Sequence, residues 1–160
     1  MFRLLHKKIS PDSLLTSRLF DEQSFYKSFI RDLRHAKKEI IIESPYLTRK
    51  RSVELSNTFR KLTKHNVRIK IYTREPRHHS PRLKQQSIQS IEILKGSGAK
   101  VYTCQDYRHR KIAVIDNIIL WEGSLNILSQ NRSRELMRRT VSACLSKQVL
   151  NYTGLSRWYW

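Results

Sequence analysis

Four side chains in the second half of the chain combine the residue types that chemistry at phosphorus requires. His109 and Lys111 are two residues apart, and Ser124 and Asn126 repeat that spacing further along. A neutral imidazole can attack phosphorus, an ammonium group neutralises the non-bridging oxygens, and a hydroxyl and an amide supply directed hydrogen bonds as charge develops. No carboxylate pair and no cluster of metal-ligand residues accompanies them in the sequence. We therefore predict chemistry that uses no metal and no other cofactor.

The local pattern indicates how these side chains come together. Two short apolar runs flank Asp116-Asn117, whose residue types favour a tight hairpin turn. A turn at that point makes paired positions sum to about 233, which places Ser124 opposite His109. Asn126 shares their face because residues two apart project from the same side of an extended strand. Asp116 has the opposite parity, so we predict that it serves in the turn or behind the site.

The elements that must position these residues alternate along the chain. Apolar residues at helical spacing predict helices, and short β-branched or alternating runs predict strands. The predicted helices cover 21–38, 52–64 and 83–95, and the predicted strands cover 39–43, 67–72 and 100–104. This α-β-α-β-α-β order, followed by the hairpin, predicts an α/β fold with a mixed, largely parallel sheet flanked by helices on both faces. We expect a single domain over 1–160, with an N-terminal extension (1–19), a core (20–145) and a C-terminal tail (146–160).

The charge of the chain indicates a polyanionic partner. The 160 residues include 32 Lys and Arg against 13 Asp and Glu, a formal charge of +19. Such an excess favours nucleic acid or an anionic membrane surface, although a merely alkaline protein also fits. No run of 18 apolar residues, no secretory pattern and no zinc-like spacing of the two cysteines occurs. We therefore expect a cytoplasmic protein without a membrane anchor.

Several basic and aromatic residues are candidates for substrate contacts. The Pro-flanked pair His78-His79 is interpreted as part of a substrate-side loop rather than a metal site, because adjacent histidines point in different directions. The terminal 158–160 segment, Trp-Tyr-Trp, could stack bases, pack at a dimer contact or cover the core, and packing is preferred. Four arginines that follow predicted strand ends form a candidate phosphate-binding rim, with a solvated face as the alternative: Arg49, Arg51, Arg74 and Arg77.

The same central segment resembles a known family. Residues 109–126 match in full the motif H-x-K-x4-D-x6-G-S-x-N and resemble the phospholipase D superfamily. Glu43-Ser-Pro-Tyr46, after the first predicted strand, is similar to the strand end of that family, and Glu135 sits where the family carries an acidic residue. The α/β order extends the resemblance over residues 20–145. The single motif in a short chain is most similar to the small phospholipase D-like endonucleases.

The resemblance implies roles for each site residue in a phosphodiesterase that forms a phosphohistidine. His109 would be the nucleophile, and a second copy of His109 would protonate the leaving oxygen and later activate water. Lys111 and Asn126 would hold the phosphate oxygens, Ser124 would donate to the site and Glu135 would orient an imidazole. Because the family's site uses two motifs and this chain has one, the resemblance implies a homodimer with the active site at its interface.

Three functions remain open from the sequence. The first is a metal-independent, non-specific endonuclease acting on nucleic acid, with DNA preferred over RNA. The second is a phospholipid hydrolase or transphosphatidylase of the phospholipase D type. The third is a catalytically inactive module that binds nucleic acid.

Overall fold

A seven-stranded mixed sheet forms the centre of the fold. The computed structural model describes residues 16–129 and 133–155, so the predicted roles of the 158–160 tail fall outside the described residues. The strands are β1 (Ser17–Asp21), β2 (Glu39–Glu43), β3 (Arg68–Arg74), β4 (Lys100–Cys104), β5 (Ile112–Ile115), β6 (Ile119–Gly123) and β7 (Leu136–Val141). The helices are α1 (Phe25–Arg34), α2 (Arg49–Lys64), α3 (Pro81–Gly96) and α4 (Ala143–Thr153), and a 3-10 helix, Pro76–His78, precedes α3.

The strand order is β1-β7-β6-β5-β2-β3-β4. The neighbours β2-β3 and β3-β4 pair in parallel, since α2 and α3 cross over between them. The other four pairings are antiparallel. The predicted α/β class and mixed sheet are confirmed, but the parallel part is smaller than predicted because every strand after β4 returns without a crossover helix.

The central strand β2 shows why a short apolar run folds as a strand buried on both faces. Ile40 and Ile42 face α1, α2 and α3 and belong to the larger core cluster. Ile41 points to the other face, where it packs in a smaller cluster with Leu150 of α4 and with Leu155. Helices therefore cover both faces of the sheet, as predicted.

Several element boundaries differ from the sequence-based expectation, and three of them change the description of the fold. Residues 17–19, expected in an N-terminal extension, belong to β1, which pairs with β7. The first helix begins at Phe25 rather than 21, because the Asp21 carboxylate accepts hydrogen bonds from the backbone of Gln23 and Ser24 and forms a turn there. The tail expected from residue 146 starts inside α4, which Ser142 caps by accepting the Leu145 N–H at 3.2 Å.

The hairpin pairs one residue away from the predicted register. Ile115 lies opposite Ile119, so that paired positions sum to 115 + 119 = 234. Asp116 and Asn117 both adopt positive φ, 53° and 57°, and the Ile118 N–H donates to the Ile115 carbonyl at 3.0 Å. The turn thus takes in Ile118 as a third residue between the paired positions. The predicted opposition of positions 109 and 124 is wrong for this reason.

A buried polar contact ties α1 to the antiparallel half of the sheet. The Trp121 indole N–H donates to Asp32 Oδ2 at 2.9 Å, inside a ring of Phe20, Phe25 and Phe29. Arg139 of β7 donates to both oxygens of the same carboxylate, at 2.6 and 3.1 Å. Asp32 is only 6% exposed, so its charge depends on these two donors.

Replacing this carboxylate is expected to destabilise the fold. Asp32→Ala leaves the Trp121 N–H and the Arg139 guanidinium without their shared acceptor, which we expect to lower the free energy of unfolding by about 3 kcal/mol. Urea denaturation followed by Trp fluorescence measures this. The control is Glu92→Ala, which removes an exposed ion pair with Lys95 and should change stability by less than about 0.5 kcal/mol. Equal effects of the two changes would contradict the role given to Asp32.

Candidate active site

The motif residues gather at one edge of the sheet. The parallel strands β2, β3 and β4 end there, and β5, which runs antiparallel to β2, begins there. The end of β6 carries Ser124 and Asn126, and Glu135 directly precedes β7. His109 and Lys111, just before β5, therefore meet the segment 124–126 at this edge.

The fully buried carboxylate of Glu43 holds the segment that carries His109. Glu43 is the last residue of β2 and is 0% exposed. Its two oxygens accept hydrogen bonds from Arg110 Nε at 3.0 and 3.2 Å, and Arg108 forms an ion pair with it at 3.6 Å. Residues 108 and 110 thus face the carboxylate, and the alternation of an extended chain turns 109 and 111 to the other side.

His109 and Lys111 are in direct contact, as their spacing predicts. Lys111 Nζ lies 2.6 Å from His109 Nδ1 and donates to the His109 carbonyl at 2.6 Å. Partial burial, the Lys111 ammonium and the Arg74 guanidinium, in that order, lower the pKa of His109 below its ordinary value of 6.5. These surroundings favour the neutral ring, which is the form that can act as a nucleophile.

Lys111 is buried beside a carboxylate. Lys111 is only 8% exposed, and this burial lowers the pKa of its ammonium group. The Glu135 carboxylate opposes the shift, and the Arg74 guanidinium adds to it. A phosphate oxygen entering the site would compete with His109 Nδ1 for this ammonium. Such a site favours a bound anion, because the contacts of Lys111 Nζ within residues 16–129 and 133–155 are the uncharged ring nitrogen and carbonyl of His109 rather than a carboxylate.

Ser124 and Glu135 form a second polar pair at the edge. Ser124 Oγ donates to Glu135 Oε2 and accepts the Leu136 N–H at 3.1 Å. Ser133 donates to the other oxygen of the Glu135 carboxylate. None of the contacts of Glu135 in the described chain is to His109, so the implied role in orienting an imidazole stays a prediction.

Gly123 of the motif is required by the close approach of β6 and β7. A Cβ at this position would lie 2.1 Å from the Leu136 carbonyl oxygen and 2.8 Å from Met137 Sδ. Any side chain would push β7 away and separate Ser124 from Glu135. The glycine therefore serves packing rather than chemistry.

Asn126 lies in a loop that is tied to two other elements. The Tyr26 hydroxyl of α1 donates to the Ile127 carbonyl at 3.0 Å, and the Leu128 N–H donates to Ser44 Oγ at 3.2 Å. The Tyr46 ring beyond Ser44 stands edge-on to the His109 ring at 6.0 Å between centroids. These contacts bring the segment 44–48, the loop of Asn126 and His109 together.

The four predicted rim arginines divide into different environments. Arg74 is at the site, because its guanidinium donates to the carbonyls of Tyr107 and Arg108 at 3.4 and 3.1 Å. Arg51 is buried, lies 3.3 Å above the Tyr26 ring and pairs with Glu54, so it is not part of an exposed rim. Arg49 begins α2 and Arg77 lies in the 3-10 helix, both exposed, and their contact with substrate stays a prediction.

Asp116 lies at the opposite end of β5 from His109. Its carboxylate accepts the backbone N–H groups of Lys37, Lys38 and Glu39 at 2.8, 2.7 and 2.9 Å. The motif aspartate therefore joins the hairpin turn to the start of β2. The structure gives it this structural role and does not bring it to the catalytic side chains.

Metal ligands do not cluster in the parts of the chain that the structure describes: no three His, Cys, Asp or Glu side chains converge there. The site instead presents an imidazole, an ammonium, a hydroxyl-carboxylate pair and an amide. That combination suits attack on a phosphate diester.

Comparison with protein families agrees with this chemistry. A family model described as "Cardiolipin synthase, PLD-like domain" matches residues 29–153. The chain belongs to the phospholipase D superfamily. Members of this superfamily are phosphodiesterases. No curated protein sequence matches this phospholipase D-like chain.

Solved structures show the same fold at low sequence identity. Nuc from Salmonella typhimurium, a phospholipase D family member, is 17% identical with a TM-score of 0.71, over 85% of this chain and 90% of Nuc. NucT from Helicobacter pylori is 19% identical with a TM-score of 0.66, over 85% of this chain and 91% of NucT. TrmBL2, an archaeal chromatin protein, is 16% identical with a TM-score of 0.56, over 96% of this chain and 56% of TrmBL2.

Sequence reasoning missed the residues that hold the site together. Arg108 and Arg110 flank His109 and lie on the opposite side of the extended segment from it. Two arginines on one side of a strand were the available signal that this side contacts a buried anion. Tyr26 and Ser44 carried no signal, because their partners are carbonyl and N–H groups distant in sequence.

The contact with Lys111 is expected to be visible in the titration of His109. Lys111→Met removes a cation that disfavours the imidazolium, so the pKa of His109 should rise toward its ordinary value. An NMR titration of the His109 ring carbons measures this directly. Lys95→Met, which removes an exposed lysine of α3, should leave the His109 titration unchanged. A pKa of His109 that is above 6.5 in the unaltered protein, or that falls in Lys111→Met, would contradict the geometry described.

Proposed function

We propose that this phospholipase D-like protein is a non-specific endonuclease that cleaves nucleic acid, DNA in preference to RNA, without a metal ion. The observation that carries the proposal is the direct contact of His109 with the buried Lys111. This pair supplies a nucleophile beside a cation at an edge that also holds Asn126 and Ser124. The roles implied by the family motif fit this arrangement.

The proposed reaction has two steps. An imidazole nitrogen of His109 attacks phosphorus, the bond to the leaving nucleoside oxygen breaks, and a second imidazole, which enters the step protonated as imidazolium, donates its proton to that oxygen. Water then attacks the phosphohistidine, the same second imidazole accepts the proton from water, and a phosphomonoester leaves. Lys111 and Asn126 bind the non-bridging oxygens and stabilise the charge that accumulates on them in both transition states.

Nucleic acid is the proposed substrate because of charge. A formal charge of +19 on one chain provides sequence-independent affinity for a phosphate backbone through counterion release. TrmBL2, which shares the fold, is described as binding DNA in a novel mode. Within 16–129 and 133–155 no helix combines the length and the apolar character needed to cross a bilayer.

A homodimer is the proposed active form. One chain carries one motif, and the reaction needs a second imidazole to protonate the leaving oxygen. A two-fold axis beside the His109 edge would supply it from a second copy of the chain, because a two-fold interface brings identical surfaces together.

Phospholipid is the second candidate substrate, and the family model's description as a cardiolipin synthase domain favours it. The same nucleophile and cation would act on a lipid phosphodiester. A protein that binds nucleic acid without turnover is the third candidate. Assays of DNA cleavage and phospholipid turnover distinguish both candidates from the endonuclease.

The endonuclease proposal predicts cleavage that survives EDTA. Plasmid and single-stranded DNA should be cut in excess EDTA, and His109→Ala should lower the rate roughly 10³-fold or more because the nucleophile is lost. Activity should fall steeply with added salt as counterion release weakens binding. The measurement is gel-resolved cleavage beside phosphatidylglycerol turnover in vesicles.

A matched histidine provides the control. His65→Ala changes an exposed histidine at the other end of the sheet and should leave the cleavage rate within a factor of two. Strict magnesium dependence, faster turnover of phosphatidylglycerol than of DNA, or DNA binding without a trappable phosphohistidine would each refute the proposal.

The dimer proposal predicts a quadratic loss of activity in mixed assemblies. When wild-type and His109→Ala chains are refolded together, mixed dimers form that contain only one His109. Such a dimer lacks either the nucleophile or the acid and should be inactive. Activity should therefore fall as the square of the wild-type fraction, with a dimer mass in light scattering. A linear fall would show that each chain carries a complete site.

A further inference from the structure

A pocket of about 300 Å³ lies beside the catalytic edge, and of its lining residues only Asn126 has a role in the reaction proposed above. The N-terminal half of α3, the segment after β2 and the loop of Asn126 form its walls. Its rings are Tyr46 and His79, and its apolar side chains are Leu47 and Leu83. We call it the α3 pocket.

The α3 pocket adjoins the position of the phosphate through two shared residues. Asn126 belongs both to the catalytic motif and to the pocket wall. The Tyr46 ring lies between the pocket and the nucleophile, 5.3 Å from the His79 ring and 6.0 Å from the His109 ring. A group attached to a phosphate at His109 would therefore reach the α3 pocket within the length of one nucleotide.

Polar atoms of the α3 pocket lack partners. Among the described residues, no hydrogen bond is made by the buried atoms Thr48 Oγ1, Ser87 Oγ, His79 Nε2 and Asn126 Oδ1. Ser87 is only 1% exposed, whereas Ser90 on the same helix donates to the Gln86 carbonyl at 2.7 Å. Buried polar atoms without partners are costly, so a ligand with donors and acceptors would be stabilised here.

Size and wall chemistry select the class of ligand. About 300 Å³ is at the lower end of small-molecule sites, which suits one ring system rather than a base pair. Two ring side chains offer stacking to a flat heterocycle, and the hydroxyl and amide groups can bind its polar edge. An acyl chain would bury these polar atoms without satisfying them.

We propose that the α3 pocket binds one unstacked nucleobase next to the phosphodiester that is cleaved. This inference rests on the proposed function for the identity of the substrate. A base in the pocket has left its helix, so the protein binds and cleaves single strands and unpaired positions in preference to duplex. Phosphate contacts at Lys111 and base stacking at Tyr46 then act on the same nucleotide.

Binding to a substrate without bases tests the α3 pocket apart from catalysis. The probes are a fluorescent single-stranded oligonucleotide and an oligomer of the same length in which every base is absent, both in EDTA with the His109→Ala protein. The intact oligonucleotide should bind roughly tenfold tighter, the effect of stacking about one base. Fluorescence anisotropy gives both affinities.

Two variants within the pocket and one outside it locate the effect. Leu83→Trp fills the α3 pocket from its rim, where Leu83 is 40% exposed, and should abolish the preference for the intact oligonucleotide. Ser87→Ala keeps the volume but removes one hydrogen bond, and should reduce the preference about fivefold. Ile88→Trp, on the exposed side of the same helix, should not change it, and thermal melting confirms that each variant is folded.

Each outcome separates this inference from the proposed function. Equal affinity for the intact and base-free oligomers, or duplex bound more tightly than single strand, overturns the base assignment even if DNA is cleaved. A base preference that Leu83→Trp removes supports it even if the unaltered protein cleaves nothing. Loss of phosphatidylglycerol turnover in Leu83→Trp, with oligonucleotide binding unchanged, assigns the pocket to lipid and also overturns it.

Discussion

The geometry of the catalytic edge depends on one buried carboxylate. Glu43 has no exposed surface, and a charge in that position is tolerated only while cations remain beside it. Arg110 and Arg108 provide those cations from the chain that immediately surrounds the nucleophile. The requirement to neutralise Glu43 therefore fixes the orientation of His109, although the two side chains face opposite sides of the segment.

Hydrogen bonds between side chains and backbone groups join the loops around this segment into one unit. The phenol of Tyr26 and the hydroxyl of Ser44 satisfy carbonyl and N–H groups of the loop that carries Asn126. Arg51, stacked on Tyr26, fixes that phenol in turn. The site is thus built on side chains whose positions are set by the core, which is the condition for a preorganised site.

Sequence reasoning succeeded where the pattern is local and failed where distant residues decide. The apolar run 39–43 is local, and it predicted a strand that the structure contains. The spacing of His109 and Lys111 is also local, and it predicted that the two side chains lie on one face, where they are in contact. The hairpin register failed because positive φ at Asp116 and Asn117 draws Ile118 into the turn. The environment of Arg51 was hidden because its partner Tyr26 is on another helix.

The position of Asp116 changes how the motif is best interpreted. The four residues of β5 separate Lys111 from Asp116, which are five residue steps or roughly 17 Å apart at strand spacing. This spacing corresponds to the length of strand β5, which runs from the catalytic edge to the backbone of residues 37–39. It is not a distance between reacting groups. An insertion or deletion in the gap would therefore be excluded by the strand register, whereas exchanges among its apolar residues would be tolerated. Searches for related proteins should hold this gap constant and leave its residue types free.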